Sequence, residues 1–556
     1  SVPKDMQNHN DENAGLPKPG DFTPTQVGRF KPNSFGLYDT LGNVEEWTND
    51  AYAPYSSGES TDPQGPKSSS SNLRVSRGGS HGTELYYLRS SNRAAAISEE
   101  RSWFIGFRVA ADVVSDVLAP NDFSSAKRSL QSNGKRNGAI AARTESKGTV
   151  TFPVRKRYVN IPMPAGKSKL PFYDHNHDPT ITTCPGKSGG LIASWFSTNC
   201  GEPGRCTGLA FARLGKEDEE WSDAQVDFDV ADRTQCCPAY FFDKESGTLF
   251  QFSGMTAAGD WSGFYSDLIG VVRYSDDCGR TWAKSEIIWP FHGIEHQTVV
   301  TVIKSSRTGE LLVPVDHWGV PPYGYEGDET VVQHNPFKSL ADVLNQTKWQ
   351  RGPLGHRGRY NNTGGHHSSI VELRNGSYFG ASRGHPINGM LPVSLSNDGA
   401  HTWTSRASIF PFVHGGQRPV AIRLGAQEEP IMLCSFANEG MEVPCDSPRV
   451  KGGTRTADTT FPIRGLFCAV SEDDGDSWMN VRPITDNFTA AGTKVEGFDH
   501  VEFLMAYNSS EPNGYMDATF DERNGMIHLI TSMNHYSFDL AYLKSPASCN
   551  PAAYEN

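Results

Sequence analysis

Histidine and arginine side chains recur just before or just after segments that have the composition of β-strands. The runs are Glu295-His296-Gln297, Asp316-His317-Trp318, Gly365-His366-His367-Ser368, Arg383-Gly384-His385, Gly415-Gly416-Gln417-Arg418 and Asn534-His535-Tyr536. An imidazole can transfer protons near neutral pH, and a guanidinium can hold a carboxylate through two parallel hydrogen bonds. If the strands bring these groups to one mouth, they form a cationic pocket suited to a carboxylated sugar.

This pocket predicts acid and base chemistry next to a carboxylate. In an elimination on a uronate, cations neutralise the carboxylate, a His or Tyr removes the C5 proton, and an acid assists the leaving oxygen. The candidates for acid and base are His296, His317, His366, His367 and Tyr507. The candidates for substrate binding are Arg383, Gln417, Arg418, Arg464 and His535, with Arg383 and Arg418 as the carboxylate holders. For any single histidine the alternative is an ordinary core or surface residue.

Strand-like segments that repeat along the chain must position these groups. They cover 190–196, 239–242, 298–302, 369–373, 419–424 and 526–530, and each is typical of an inner or second strand of a successive blade. The fold class is therefore mainly β, a six-bladed β-propeller, with seven blades as the alternative, preceded by a small irregular domain. We expect a strand within 152–161 to close the ring with 538–543, and a short helix at 339–344.

Three short segments are versions of one pattern, Ser-x-Asp-x-Gly-x-Thr/Ser-Trp. They are 275–282, 396–403 and 471–478, and the second has Ala400 in the usual Gly position. Each predicts a hairpin turn whose Asp carboxylate bonds turn amides while the Trp packs beneath it. The segments resemble the Asp boxes of the sialidase superfamily, which implies a propeller scaffold. We assign these turns no catalysis.

The resemblance to sialidases does not extend to their reaction. The family uses an Arg-Ile-Pro motif, three arginines for the sialate carboxylate, a Tyr/Glu nucleophile pair and an Asp acid, but the nearest motif here, 158–162, has Asn160 in the Arg position. Arg383, Arg418 and Arg464 are the candidates for an arginine cluster. The region 290–424 is more similar to propellers of the polysaccharide lyase and rhamnosidase groups. We therefore predict a lyase or glycosidase acting on a uronate- or sialate-containing glycan. The alternatives are a divergent exo-sialidase and a non-catalytic glycan-binding or structural propeller.

The N-terminal segment carries a second resemblance. Residues 35–47, 77–81 and 104–109 resemble the C-terminal half of a formylglycine-generating-enzyme, or sulfatase-modifying-factor, domain across about residues 25 to 112. The resemblance implies a structural calcium loop, with Asp39 and Glu46 as side-chain ligands and the carbonyls of Gly42 and Val44 beside them. Formylglycine formation needs a pair of cysteines, and the first cysteine of this chain is Cys184. We predict a unit that does not make formylglycine, has no organic cofactor and has a structural or glycan-binding role.

Composition sets the remaining expectations. The domains are predicted at 1–113, 114–149 as a Gly/Ser-rich linker, and 150–556. Ten cysteines without metal-type spacing predict disulfides, and sequons stand at Asn345, Asn361, Asn375, Asn487 and Asn508. Together these favour a secreted glycoprotein, with a bacterial exported protein as the alternative. The net charge of −13 argues against nucleic acid as a partner, and no apolar run is long enough for a membrane span.

Overall fold

The structure of this chain is a computed structural model. The described residues are 24–53, 55, 61, 65–66, 73–81, 83, 88–98, 100, 104–110, 154–157, 175–184, 190–198, 207–216, 220–228, 230, 233–256, 268–289, 295–298, 301–317, 329–351, 365–384, 386–444, 460–485 and 492–544. The predicted linker 114–149 lies outside them. In this part of the chain, no helix has the length and hydropathy needed to cross a membrane.

Six sheets of antiparallel strands follow one another along the chain as six blades. Blade 1 contains His175–Thr183, Gly190–Thr198, Gly208–Gly215 and Gln225–Phe228; blade 2 contains Gln235–Asp243, Thr248–Thr256, Leu268–Ser275 and Glu286–Trp289; blade 3 contains Glu295–Thr298 with Ile303–Lys304, Leu311–His317, Glu329–Asn335 and Gln350–Arg351. Blade 4 contains His366–Glu372, Tyr378–Arg383, Met390–Ser396 and Thr404–Pro411; blade 5 contains Val420–Arg423, Ile431–Pro444, Thr460–Ser471 and Met479–Pro483; blade 6 contains Asp517–Asp521, Met526–Ile530, Asn534–Asp539 and Val154–Arg157. The mainly β class and the six blades predicted from the sequence are confirmed.

The first strands of the blades form the inner ring, and hydrogen bonds join neighbouring blades there. These bonds run from Tyr240 N to Thr180 Oγ1 (3.0 Å), from Thr301 Oγ1 to Ser369 Oγ (2.7 Å), from Ala421 N to Ser369 Oγ (2.8 Å) and from Ile181 N to Asp517 Oδ2 (2.8 Å). Satisfied polar groups at the ring fix the blades relative to one another, because an unpaired buried polar atom would cost free energy. The ring is thus a rigid frame for side chains at its ends.

The ring is closed by a strand from the beginning of the propeller. Val154–Arg157 is the outermost strand of blade 6 and pairs antiparallel with 534–537, so that Asn534 is opposite Arg157. The predicted ring closure is confirmed, but the segment that pairs with 154–157 lies a few residues N-terminal to the predicted 538–543. The reason is that 540–544 forms a short helix, Leu540–Lys544, that the sequence did not suggest. The predicted helix near 339 spans Leu340–Val343 and is followed by the 3-10 turn Gln346–Lys348.

The three repeated turns connect the third and fourth strands of blades 2, 4 and 5. In the first, the Asp277 carboxylate accepts hydrogen bonds from Thr281 N (2.8 Å) and Thr281 Oγ1 (2.6 Å), and Ser275 Oγ accepts from Gly279 N (2.6 Å). The same bonds recur around Asp398 and Asp473. Ala400 in the second turn has φ 68°, close to the 70° of Gly279. The imperfect copy therefore keeps the turn by holding an alanine in a left-handed conformation.

The first repeated turn predicts an acid-sensitive contribution to stability. Burial acts to raise the pKa of Asp277, but the hydrogen bonds from Thr281 and Ser275 outweigh it and lower the pKa to about 2. A carboxyl whose folded pKa is depressed stabilises the fold above its unfolded pKa and loses that effect as the pH falls through the folded value. We expect Asp277→Asn to cost about 1 kcal/mol at neutral pH and progressively less toward pH 2, measured by urea unfolding. Asp476→Asn, at an exposed position of the third turn, is the control, and an equal loss in both variants would contradict the prediction.

Two disulfides are described in the propeller, which confirms the disulfide prediction. Cys184–Cys278 joins the end of the first strand of blade 1 to the repeated turn of blade 2, with a sequence separation of 94. Cys434–Cys468 joins two directly paired strands of blade 5, with a separation of 34. The first bond therefore links two blades, whereas the second reinforces one sheet.

Removing the bond between blades should cost more than removing the bond within one. A disulfide restricts the unfolded chain more when it closes a longer loop. We expect Cys184→Ser with Cys278→Ser to lower the free energy of unfolding by about 2–4 kcal/mol, and the matched double variant at Cys434 and Cys468 to lose about 1 kcal/mol less. Urea unfolding without reductant measures both, and the reverse order would contradict the prediction.

A separate four-stranded sheet lies in the N-terminal segment. Its order is Ala94–Ile97, Leu73–Arg77, Glu45–Ala51 and Ile105–Gly106, antiparallel except for the last pair. One cluster of buried side chains joins this sheet to blade 2, and its members are Leu73, Ala95, Ile97, Val230, Met255, Ile269, Val271 and Ile287. The fully buried Arg233 donates to the Ala95 carbonyl (3.0 Å), and its Nη2 lies 3.5 Å from Glu45 Oε2, which also accepts from Ser76 Oγ (2.6 Å). The sheet is therefore docked on the propeller through apolar contact and one buried ion pair.

Candidate functional site

The inner strands of blades 1, 2 and 4 begin with the same irregularity. The ladder to the second strand is interrupted by a bulge, and one residue inside each bulge has positive φ: Asp178 (55°), Cys237 (58°) and His367 (53°). Non-glycine residues rarely adopt this conformation, and such strain is typically concentrated where side chains are held for function. Regular pairing resumes two residues after each one. Arg418 stands at the same distance before Val420, the first residue of the inner strand of blade 5.

At this end of the ring, three side chains of blades 3, 4 and 6 contact one another in series. Asp316, at the end of the second strand of blade 3, has Oδ2 2.5 Å from His367 Nδ1 and Oδ1 2.8 Å from His367 N. His367 Nε2 lies 2.8 Å from the hydroxyl of Tyr515, directly before blade 6. The two ring nitrogens of His367 thus face the Asp316 carboxylate and the Tyr515 hydroxyl, and Nε2 accepts from the phenol when the ring hydrogen is on Nδ1. We call Asp316, His367 and Tyr515 the relay.

Arg383 completes the relay from the second strand of blade 4. Its Nη1 donates to the Tyr515 hydroxyl (2.6 Å), and its Nε donates to His366 Nε2 (2.7 Å). The guanidinium is half-buried, whereas Tyr515, His366 and His367 are buried. A fixed positive charge beside the phenol oxygen stabilises the phenolate form. The arrangement can therefore move a proton between Tyr515 and His367 and leave negative charge on the tyrosine oxygen.

A buried ion pair lies against the ring of Tyr515. Arg418 binds Asp178 through Nη1 and Oδ1, donates to the Pro179 carbonyl (3.2 Å), and has its guanidinium 4.7 Å from the Tyr515 ring centre. Asp517 is also buried here, and burial, only partly offset by the hydrogen bond from Ile181 N and the charge of Arg418, raises its pKa to about 7. Arg418, predicted as a carboxylate holder, is thus already bound to a carboxylate of the protein.

Aromatic rings extend from Tyr515 toward the surface. The His177 ring lies 3.9 Å from the Tyr515 ring, and the Phe498 ring lies 4.4 Å from His177. Phe498 belongs to the 3-10 turn Phe498–His500 at the tip of a hairpin, Thr493–Glu496 with Glu502–Met505, inserted between blades 5 and 6. Beside it, Asp499 Oδ1 lies 2.7 Å from His175 Nδ1. The column Tyr515, His177 and Phe498 connects the relay to an exposed carboxylate.

The structure brings four of the predicted residues together. His366, His367, Arg383 and Arg418 all lie at Tyr515, directly or through one contact. His296 and His317 lie on blade 3 strands whose pairing places Glu295 opposite His317, and their side chains are outside the described part of the chain. The convergence follows from the antiparallel blades, because the start of each first strand and the end of each second strand meet at one end of the ring.

The structure places the other predicted residues elsewhere. The Gln417 amide is buried and donates to Asn438 Oδ1 and the Pro512 carbonyl (2.7 Å each), which is a structural link between loops. Arg464 is exposed, and its backbone pairs with Asn508 and Ser510. The remaining two contribute to packing: Tyr507 contacts the core of blades 5 and 6, and His535 bonds Trp221 and His528 between blades 6 and 1.

Tyr515 and Asp178 are the site residues that sequence reasoning missed, and Asp316 was noted only as a neighbour of His317. Tyr515 stands two residues before Asp517, the first residue of the inner strand of blade 6, just as Arg418 stands before Val420. This spacing could have identified it, but only the second strand of blade 6 was recognisable in the sequence. The inner strand, Asp517–Asp521, has a charged residue at each end and only a short apolar middle.

The predicted calcium loop is arranged around an arginine. Both carboxylate oxygens of Glu46 bind Arg108, at 2.6 Å to Nη2 and 2.9 Å to Nε, and Arg108 also donates to the Tyr38 carbonyl (2.8 Å). The Asp39 carboxylate accepts from Gly28 N (2.6 Å). Among the described residues, no group of three or more His, Cys, Asp or Glu side chains is placed to hold a metal. The oxygen ligands suit calcium, but Glu46 can reach an ion only by giving up Arg108.

The N-terminal segment matches a known protein family. Residues 5–113 match the family of sulfatase-modifying factor enzyme 1-like domains. The chain joins part of such a domain to a β-propeller. The sulfatase-modifying-factor-like unit is 40% identical over 90 residues to the formylglycine-generating enzyme of Mus musculus and 35% identical over 98 residues to that of Streptomyces coelicolor. These matches cover 16% and 17% of this chain and 24% and 31% of the relatives, so the chain spans about a quarter to a third of their length.

Solved structures similar to this chain include two sialidases and an arabinanase. A Hadza microbial sialidase has a TM-score of 0.45 at 13% identity, covering 66% of each chain, and the NanB sialidase of Streptococcus pneumoniae has 0.44 at 12%, covering 70% and 71%. An α-L-arabinanase of Penicillium chrysogenum has 0.43 at 14%, covering 72% of this chain and all of its own. Likenesses of this size decide neither blade number nor reaction, which rest on the strand pairing and side-chain geometry above.

Proposed function

We propose that this chain is a glycan-processing enzyme that cleaves a uronate-containing glycan by acid–base chemistry at Tyr515. The observation that carries the proposal is the relay with Arg383, in which one phenol oxygen contacts both a proton acceptor and a fixed cation. Such a combination is typical of a tyrosine that must lose and regain a proton during turnover. A propeller that only bound glycans would need aromatic and polar contacts but no buried Asp–His–Tyr series.

The proposed step is an elimination across C4 and C5 of the uronate. Tyr515, having passed its proton to His367, removes the C5 proton while Asp316 stabilises the imidazolium. The electrons of the C5–H bond form the double bond, the C4–O bond breaks, and the leaving oxygen takes up a proton from the Tyr515–His367 pair. Arg383 stabilises the phenolate and the charge that develops on the uronate carboxylate. The atoms balance without a co-reactant.

The charge arrangement supports a uronate over a sialate. Two arginines, Arg383 and Arg418, contact Tyr515, and Arg418 is neutralised by Asp178. Arg464, the third member of the predicted cluster, is exposed on blade 5 and has backbone pairing with 508–510 as its described contact. One half-buried guanidinium can neutralise a single carboxylate during an elimination, whereas the sialidase pattern uses three.

The test is incubation of the purified protein with uronate-containing and sialylated glycans, following the ultraviolet absorbance of the unsaturated uronate and the released sugars together. We expect both signals to rise with a uronate substrate. Released sugar without the absorbance would overturn elimination and indicate hydrolysis, with Tyr515 as a nucleophile. If neither signal rises but the protein binds to a glycan array, the proposal of an enzyme is overturned and a glycan-binding propeller is favoured.

For the sulfatase-modifying-factor-like unit, we propose a structural role in which calcium competes with Arg108 for Glu46. Removing the guanidinium leaves both carboxylate oxygens available to a hard cation. We therefore expect calcium to raise the melting temperature of Arg108→Ala more than that of the wild type, measured by differential scanning fluorimetry with calcium or a chelator. Arg89→Ala, at an exposed arginine of the same unit, is the matched control. If calcium raises the melting temperature of all three proteins equally, the proposed competition between calcium and Arg108 is contradicted.

The remaining expectations stay proposals. They are the domain limits 1–113, 114–149 and 150–556, secretion, the absence of an organic cofactor, and N-glycans. Asn345 and Asn375 are exposed in turns, and each side-chain oxygen accepts a hydrogen bond from the backbone two residues later. Asn508 is half-buried and donates to the Pro462 carbonyl (3.1 Å), whereas Asn361 and Asn487 lie outside the described residues. Accessibility thus favours Asn345 and Asn375 as glycan acceptors.

A further inference from the structure

The inserted hairpin holds an aromatic ring and a carboxylate at the outer end of the site. At its tip, Asp499 has φ 53° and ψ 33°, and Gly497 N donates to the Val501 carbonyl (2.9 Å). A left-handed aspartate is uncommon and must be held by its surroundings. The tip therefore presents Asp499 in one fixed orientation.

A buried carboxylate anchors the base of this hairpin. Glu511 is fully buried and accepts hydrogen bonds from Thr531 Oγ1 (2.9 Å), Tyr536 Oη (2.8 Å) and Asn534 Nδ2 (3.0 Å). The same Asn534 amide donates to the Glu496 carbonyl at the end of the first hairpin strand (3.2 Å). The insertion is thus fixed to blade 6, next to Tyr515, rather than attached only by its two ends.

The tip has the two features of a subsite for a neutral sugar. Phe498 is half-buried and packs against His177 at an interplanar angle of 31°, and its ring offers a flat apolar surface to the face of a sugar ring. The Asp499 side chain is 47% exposed and can accept hydrogen bonds from sugar hydroxyls. His175 Nδ1 lies 2.7 Å from Asp499 Oδ1, and a neutral imidazole with its hydrogen on Nδ1 donates to the carboxylate without cancelling its charge.

Groups of opposite charge lie at the two ends of the column Tyr515, His177 and Phe498. Arg383 contacts the phenol oxygen of Tyr515, whereas Asp499 follows Phe498 in the chain and contacts His175, whose ring lies 5.5 Å from the ring of Phe498. A glycan that extends from one end to the other meets a cation at the reacting sugar and an anion at the neighbouring sugar. An acidic sugar at the second position would face the Asp499 carboxylate at unfavourable energy.

We propose that Phe498 and Asp499 form a neighbouring-sugar subsite that selects glycans in which the reacting uronate is joined to an uncharged sugar. This inference rests on the proposed function, and it names the substrate class: mixed polymers of uronate and neutral sugar, rather than polymers of uronate alone. Asp499 acts by attraction to hydroxyls and by repulsion of carboxylates, and it takes no part in proton transfer.

The test compares two polymers with four proteins. The polymers are a rhamnogalacturonan that alternates galacturonate with rhamnose, and polygalacturonate; the proteins are wild type, Asp499→Asn, Glu502→Gln and Tyr515→Phe. Asparagine tolerates the left-handed conformation of residue 499, so the first variant keeps the hairpin. Glu502 is an exposed carboxylate of the same hairpin, with its side chain 63% exposed next to Lys494, and serves as the control.

We expect the wild type to favour the alternating polymer by about tenfold or more in kcat/KM, a difference of about 1.4 kcal/mol. Asp499→Asn should reduce this ratio by raising kcat/KM on polygalacturonate, while Glu502→Gln keeps it. If the ratio of kcat/KM on the two polymers is unchanged in Asp499→Asn while Tyr515→Phe is inactive, only the proposed subsite is overturned. Full activity of Tyr515→Phe, or no cleavage by the wild type, would overturn the proposed function and this inference with it.

Discussion

Tyr515→Phe is expected to lower kcat/KM on a uronate glycan by about 100- to 10,000-fold while leaving the fold intact. The substitution removes only the hydroxyl that contacts His367 Nε2 and Arg383 Nη1. The phenyl ring keeps its contact with the His177 ring and its position beneath Arg418. Steady-state kinetics and thermal melting, measured on the same preparation, separate a loss of chemistry from a loss of structure.

The matched control is Tyr274→Phe. Tyr274 is a half-buried tyrosine on the third strand of blade 2, where it packs against the core of blades 2 and 3. This variant should keep its activity within about twofold, because a residue outside the site does not change transition-state stabilisation. Comparable losses in the two variants would remove Tyr515 from its proposed role and indicate a general effect of lost hydroxyl groups on the fold.

Glu45→Ala is expected to lower the free energy of unfolding by about 3–5 kcal/mol, because it leaves the Arg233 guanidinium buried without its counter-charge. Glu45 is 1% exposed and Arg233 is 0% exposed. The ion pair lies between the N-terminal sheet and the propeller, so the variant should also loosen the docking of the two. Urea unfolding measures the first effect, and limited proteolysis between the two units measures the second.

The neighbouring residue supplies the control. Glu46→Ala breaks the partly exposed pair with Arg108 and should cost no more than about 1 kcal/mol, because water solvates the released guanidinium. Two adjacent glutamates of one sequence motif are thus expected to differ severalfold in their effect. If Glu45→Ala costs no more than Glu46→Ala, the buried pair does not stabilise the docked arrangement.

The sequence predicted the scaffold well, because its signals are local. The apolar segments at 239–242, 369–373 and 419–424 became inner strands, since alternating and continuous apolar residues favour a sheet buried on both faces. The repeated Ser-x-Asp turns formed because a carboxylate two residues after the serine reaches the amides of its own turn. The short inner strand of blade 6 lacked such a signal, and with it the sequence reading missed Tyr515.

Which residues meet at the site was decided by closure of the ring. The sequence identified polar residues beside strands as candidates for the site. Four of them, His366, His367, Arg383 and Arg418, lie at the site. Gln417 and His535 have similar surroundings in the sequence, but in the fold they are structural links. Asp316, His367 and Tyr515 come from three blades, and their contact depends on the bulges and left-handed residues that begin the inner strands. Likewise, no pattern distinguishes the buried Glu45 from the partly exposed Glu46. The sequence by itself determined most of the strands and the repeated turns, because neighbours along the chain fix them; the register of the closing pair, the relay, the docked N-terminal sheet and the opposite charges near Tyr515 arise only when distant segments pack together.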